Sequence, residues 1–187
     1  MLSKTREAIL STYIILFRGV GGATQLPTKP LREALTEAGF GNVTTYINSG
    51  NAVLKSSISR EKTIASVADI CKREFGFSKD IHAVTLDEWS ALIDANPFPE
   101  AVAVPKFLHA AVLAAQPEEG KVKALQAVAA KGERIAVVGK VAYLHTPEGF
   151  GTSKLAERFD KGIGVPNTAR NWNTVLKLKE LAEKVDS

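Results

Sequence analysis

Two polar runs carry the chemistry of this 187-residue chain: Asn48-Ser49-Gly50-Asn51, and Thr168-Ala169-Arg170-Asn171-Trp172-Asn173-Thr174. A tight hairpin needs only two turn residues, so four in a row leave amides and a hydroxyl spare to read a phosphate, a sugar or a base edge. Asn and Ser also favour turns by bonding their own backbone, so a purely structural reading of Asn48, Ser49, Gly50 and Asn51 stands beside the functional one. In the second run Thr168 reads as the cap of a helix starting at Ala169. A cap takes one residue, and Arg170, Asn171 and Asn173 exceed it. An arginine in a first helical turn can join the helix dipole in holding an anion. Trp172 reads as core.

Two further cations join the candidates. Arg18 precedes the glycines Gly19, Gly21 and Gly22, which follow an apolar run and could let backbone amides cradle a phosphate. No Gly-Lys-Ser or Gly-Lys-Thr follows, which excludes a P-loop, and a plain strand-to-helix turn explains the glycines more simply. Lys154 lies near the start of a short helix after Thr152-Ser153, the end of a helix that disfavours a cation, and so points to an external anion. No acid–base or nucleophile–base pair can be assembled from spacing, which leaves enzymatic activity, through Lys154 or a serine, as an open alternative.

Composition sets the frame. Lys and Arg outnumber Asp and Glu by 24 to 20, an excess too small and too dispersed for a polybasic arm. One cysteine, Cys71, excludes an internal disulfide framework, and its helical spacing with Ile64, Val67, Ala68 and Phe75 makes it a core thiol. His82, His109 and His145 have no metal-ligand spacing, so neither a metal nor another cofactor is expected. Lys4 and Arg6 before the apolar run from Ala8 to Phe17 resemble a secretory leader, but Glu7 and Ser11-Thr12 interrupt it and the run is too short to span a membrane. A cytoplasmic protein without membrane association is expected.

The elements that must position these residues follow from periodicity. A strand from Tyr13 to Arg18, a helix from Thr28 to Ala38, β-runs at Val43 to Ile47 and Ala52 to Lys55, a helix from Ser59 to Phe75 and a strand from Ile81 to Thr85 give β-α-β-β-α-β, the split βαβ or ferredoxin-like order. Thr85-Leu86-Asp87-Glu88 is a capping box opening a short helix expected to dock on this first unit. Three prolines between Pro97 and Pro105 forbid regular structure and mark a boundary. Beyond it, a strand from Phe107 to Leu113, a helix from Pro117 to Lys131, a hairpin across Gly139-Lys140 and a helix from Ser153 to Asp160 repeat the series, with no clear final strand. The expected organisation is a first subdomain over 1–95, a linker over 96–105 and a second subdomain over 106–187, read as a tandem duplication in an α+β fold.

Six segments in this order resemble one family: Tyr13-Ile14-Ile15-Leu16-Phe17-Arg18-Gly19, Leu31-Arg32-Glu33-Ala34-Leu35, Thr45-Tyr46-Ile47-Asn48-Ser49-Gly50-Asn51, Asn96-Pro97-Phe98-Pro99, Gly151-Thr152-Ser153-Lys154-Leu155, and the run from Thr168 to Leu178. From about Tyr13 to Leu178 the chain is similar to the domain of unknown function 1697 family (DUF1697). The resemblance implies two ferredoxin-like α+β subdomains with exchanged C-terminal helices, and no established activity. The loop Arg18-Gly19-Val20-Gly21-Gly22 is two residues shorter than the usual family loop and lacks its asparagine, which weakens a ligand role for it. The leading expectation is a small anionic or nucleotide-like ligand in a cleft between the subdomains. A nucleic-acid-binding module is the alternative, not favoured because aromatic-rich strands are missing; oligomeric state is not addressed by the sequence.

Overall fold

The computed structural model describes residues 10–20, 24–47 and 50–187. Lys4, Arg6, Glu7, Gly21, Gly22, Asn48 and Ser49, all named above, lie outside the described residues. The chain is mixed α+β with two four-stranded antiparallel sheets and divides into two compact units, Met1–Leu86 with Glu180–Ser187, and Asp87–Lys179.

In the first unit, β1 (Ser11–Phe17), β2 (Gly41–Thr45), β3 (Asn51–Ser56) and β4 (Ile81–Thr85) lie in the order β2-β3-β1-β4. β1 is central and buried continuously from Thr12 to Phe17, as a strand covered on both faces must be. Tyr13, Ile15 and Phe17 meet residues of α1 (Thr28–Glu37) and α2 (Arg60–Phe75), among them Leu31, Leu35, Val67, Ile70 and Cys71. Burial pushes the Cys71 thiol up to about 12, in keeping with the core role expected of it. Ser59 caps α2 by accepting from the Lys62 N–H, and Gly76 ends it at φ +65°, the left-handed stop that a glycine supplies without a Cβ penalty. On the opposite face Thr12 donates to Asp186 Oδ1 at 2.6 Å, Asn42 Nδ2 to the Val185 carbonyl at 3.3 Å and Lys55 Nζ to the Asp186 carbonyl at 3.0 Å. The last residues of the chain therefore belong to the first sheet.

The second unit repeats the order. β5 (Leu108–Leu113), β6 (Arg134–Val138), β7 (Val141–His145) and β8 (Asn167–Asn171) lie as β6-β7-β5-β8. Ala111, Leu113, Ala142 and Leu144 face Leu125 of α4 (Glu119–Val128) and Leu155 and Phe159 of α5 (Lys154–Gly162). The other face holds Tyr143, whose hydroxyl donates to the Leu92 carbonyl at 2.6 Å, on α3 (Leu86–Asp94). Trp89 of α3, fully buried, donates its indole N–H to the Val175 carbonyl of α6 (Trp172–Asp186) at 2.9 Å.

Three expectations are corrected. The second series does have a final strand, β8, although Asn167-Thr168-Ala169-Arg170-Asn171 has little strand propensity; its five pairings with β5, from Leu113↔Asn167 to His109↔Asn171, make it a strand, tertiary pairing overriding composition. α3 belongs with the second sheet rather than the first unit, because its buried Trp89 and the Leu92 carbonyl find their partners there. The proline-rich segment is not irregular throughout: Pro99–Ala103 and Pro105–Phe107 are short 3-10 turns, since proline lacks only an N–H that a first turn leaves unbonded anyway. Glu100 is ion-paired to Arg134 of β6, whose guanidinium sits 4.4 Å over the Phe98 ring.

Candidate functional site

β1 occupies the middle of the first sheet, so whatever follows it emerges between the turn entering β3 and the segment entering β4. The Phe17 N–H donates to the Gly50 carbonyl at 2.9 Å, and the Arg18 N–H donates to the Asp80 carbonyl at 3.0 Å. These two bonds extend the ladders on both sides of β1 by one residue and bring three loops to one end of the sheet. Gly50 is at φ +78°, and a Cβ there would stand 2.7 Å from Val20 Cγ2 and 2.8 Å from Phe17 Cβ. No side chain fits; glycine is required by close approach as well as by backbone conformation.

Asn51 is 1% exposed, and its Nδ2 donates to the Tyr46 carbonyl at 3.2 Å while the Tyr46 N–H donates to the Asn51 carbonyl at 3.1 Å. Asn51 thus closes the turn. Arg18, half-buried, forms a salt bridge with Asp80 at 3.2 Å, and Lys79 Nζ donates to the Gly19 carbonyl at 3.2 Å. Sequence reasoning named Arg18 and Gly50 and missed Lys79 and Asp80, since a charged pair before a strand is an ordinary surface feature with no distinguishing spacing. The result is two cations and one carboxylate at a sheet end that also holds Gly19 and Gly50. An exposed ion pair of this type contributes roughly 0–1 kcal/mol.

The second run is built differently. Thr168, Ala169, Arg170 and Asn171 lie in β8, and α6 starts at Trp172; the helix expected from Ala169 is displaced because β5 takes these residues into its ladder. Arg170 is therefore not in a first helical turn. It is 9% exposed, and its Nη1 donates to Thr168 Oγ1 at 2.7 Å and to the Ala169 carbonyl at 2.8 Å. Burial lowers its pKa to about 10. Asn171, not Thr168, caps α6: its Oδ1 accepts from the Asn173 N–H at 3.1 Å and its Nδ2 donates to the Lys106 carbonyl at 2.9 Å. Trp172 is core, 1% exposed, with its ring 6.5 Å from that of Tyr143. Only the Asn173 side chain of this group is exposed.

Lys154 opens α5 on the surface, and its counter-charge is internal. Glu133 keeps a pKa below the ordinary carboxylate value: burial acts to raise it, and hydrogen bonds from Ser153 and the Ala130 and Leu155 N–H groups, together with the Lys154 charge, outweigh that. Ser153 is also the helix cap, accepting from the Ala156 N–H at 3.0 Å. The hydroxyl next to Lys154 is thus committed to holding α5.

His109, on β5, is 9% exposed, stacks on Phe150 with ring centroids 3.9 Å apart, and leaves Nδ1 without a hydrogen bond. Burial drives its pKa down to about 4. Among the described residues no three His, Cys, Asp or Glu side chains are grouped to hold a metal, and no helix is long and apolar enough to cross a membrane.

The family described as "Protein of unknown function (DUF1697)" matches residues 10–143. This chain belongs to the DUF1697 family. No curated protein matches it. Among solved structures, it is similar to the conserved bacterial protein SP0830 from Streptococcus pneumoniae, at 20% identity over 92% of this chain and 99% of that one, with a TM-score of 0.73. At that identity the likeness is one of fold. The DUF1697 match spans the whole described first-sheet cluster, from Arg18 to Asp80, and ends before β8.

Proposed function

We propose that this DUF1697 protein binds a small anionic, nucleotide-like ligand at the end of the first sheet. The observation that carries the reading is the convergence of Arg18, Lys79 and the obligate Gly50 around the end of β1. Asn48 and Ser49 adjoin Gly50 in sequence and are candidates for further contacts. Arg18 and Lys79 would neutralise the anion, with Asp80 released from Arg18 as it binds. In this reading Asn51, Arg170 and Asn171 hold the frame, while Lys154 and Asn173 are exposed residues of the second unit.

The frame itself we read as a tandem pair of ferredoxin-like subdomains with exchanged C-terminal helices. Support comes from the identical strand orders β2-β3-β1-β4 and β6-β7-β5-β8, from α3 keeping company with the second sheet, and from the Thr12–Asp186 bond that ties the end of α6 to the first.

Thermal unfolding with inorganic pyrophosphate, nucleoside monophosphates and nucleoside diphosphates tests the ligand. A ligand at one hundred times its Kd stabilises the fold by about 2.7 kcal/mol, a rise of roughly 5 °C or more for a chain of this size. Arg18→Ala and Lys79→Ala should abolish the rise. No stabilisation of the wild-type protein by any of these anions would sink the reading.

A further inference from the structure

α4 and α5 cover one face of the second sheet and run antiparallel. Leu125 of α4 approaches Gly162 so closely that a Cβ there would be 2.8 Å from Leu125 Cδ2, and the stem of Lys121 lies against Gly164, with Cε 3.6 Å from where a Cβ would be. Helical periodicity places Arg158 and Lys154 on the Gly162 side of α5, one and two turns earlier respectively, with Lys161 beside them. The outer seam between the helices is therefore lined by Lys121, Lys154, Arg158 and Lys161. All four are exposed, and they extend roughly 10 Å along the helix axis at 1.5 Å per residue.

Acids nearby are mostly committed elsewhere. Glu119 is paired with Lys123 at 2.6 Å and Asp160 accepts from Asn167 Nδ2 at 3.3 Å, while Glu133 offsets the charge of Lys154 alone among the four. Glu157 is the remaining carboxylate of α5. Several other described surface cations, Arg18, Lys29, Arg73, Lys123, Arg134 and Lys184, have a carboxylate within ion-pair distance.

We propose that the α4–α5 seam is a docking surface for the phosphate backbone of duplex nucleic acid, read without regard to base sequence. Four cations spread over this length exceed what one phosphate can engage and match a line of regularly spaced ones. A lipid surface fits poorly, because membrane-binding helices also insert apolar side chains and none of the exposed large hydrophobic residues, Leu10, Ile47, Ile58, Val102, Val104, Val138 or Leu176, lies on α4 or α5. Single strands fit poorly too: they are held by stacking on aromatic side chains, and Phe159, the aromatic residue of α5, is buried.

Fluorescence anisotropy with a labelled duplex of about 20 base pairs decides the matter, on the full chain. With four phosphate contacts the affinity should fall on the order of 100-fold between 50 and 200 mM salt. Lys121→Glu/Arg158→Glu/Lys161→Glu should weaken binding at least 10-fold, while Lys29→Glu/Arg32→Glu/Lys72→Glu, reversing three exposed cations of the first unit, should change it less than 3-fold. Circular dichroism checks both folds, and Arg158→Gln alone, expected to weaken binding about 2- to 5-fold, serves should the triple variant unfold. Failure of the wild-type chain to bind duplex at 50 mM salt, equal losses in both triple variants, or tighter retention by phosphatidylserine vesicles than by duplex would each overturn the proposal.

Discussion

The end of the first sheet and the β8–α6 junction look alike as strings of polar residues and are opposites in space. At the sheet end, Arg18 pairs with Asp80 and Lys79 donates to the Gly19 carbonyl, near a glycine at positive φ whose place a Cβ would not fit. At the junction, the Arg170 guanidinium is spent on Thr168 and Ala169, and Asn171 on Lys106 and Asn173. The difference teaches that burial decides what surplus polarity is for: a buried polar group must be satisfied by the protein, whereas an exposed one can trade partners. Each region should accordingly fail in its own way, the junction through stability and the sheet end through binding.

The largest effect is expected at Arg170. Arg170→Ala leaves a cavity and deprives Thr168 Oγ1 and the Ala169 carbonyl of a donor, costing about 3 kcal/mol; Arg170→Met, which keeps the volume, should cost less. Chemical denaturation measures both, and an Arg170→Ala protein as stable as wild type would erase the contrast between the two regions. His109 should make the second unit sensitive to acid. Its folded pKa of about 4 lies below the ordinary 6.5, so the unfolded chain takes up the proton first. Stability is full above pH 6.5 and is lost progressively as pH falls towards 4, by up to about 3 kcal/mol. His109→Leu should flatten that part of the stability–pH curve, and an unchanged curve would show that the imidazole is not the group titrating.

At the sheet end, Gly50→Ala should cost about 2–3 kcal/mol, from overpacking against Phe17 and Val20 combined with a positive φ. A cost below 0.5 kcal/mol in denaturant unfolding would mean that the turn yields easily. Asn171→Ala removes the α6 cap and should cost about 1 kcal/mol, whereas Thr168→Ala should leave helix capping intact. Smallest is Arg18→Ala, under roughly 0.5 kcal/mol in stability. Loss of ligand-dependent stabilisation in Arg18→Ala, with the same response retained in Asn171→Ala, would sharpen the division.

Much of the frame was legible beforehand. The sequence places Ile81 to Thr85 with the boundaries it has, starts α2 at Ser59, which caps it, and puts Gly139 in the turn that joins β6 to β7, where its φ is +57°. Those features rest on local chemistry: alternation, caps and glycine conformations act over a few residues. β8 was illegible because Asn-Thr-Ala-Arg-Asn says nothing of β5, more than fifty residues away, which makes it a strand. The place of α3 was hidden for the same reason, its amphipathic face being equally suited to either sheet until Trp89 finds the Val175 carbonyl.

The sequence by itself determined the α+β class, the element order apart from β8, membership of the DUF1697 family and the identity of the residues with chemistry to spare, because propensity, periodicity and turn chemistry are written locally. Only the tertiary structure decided which of them the protein consumes. Arg170 and Asn171 were drawn into a strand and a cap by pairing with β5, while Arg18 and Gly50 were set at the open end of the central strand beside Lys79, since solvent exposure is a property of the folded chain and of no single segment.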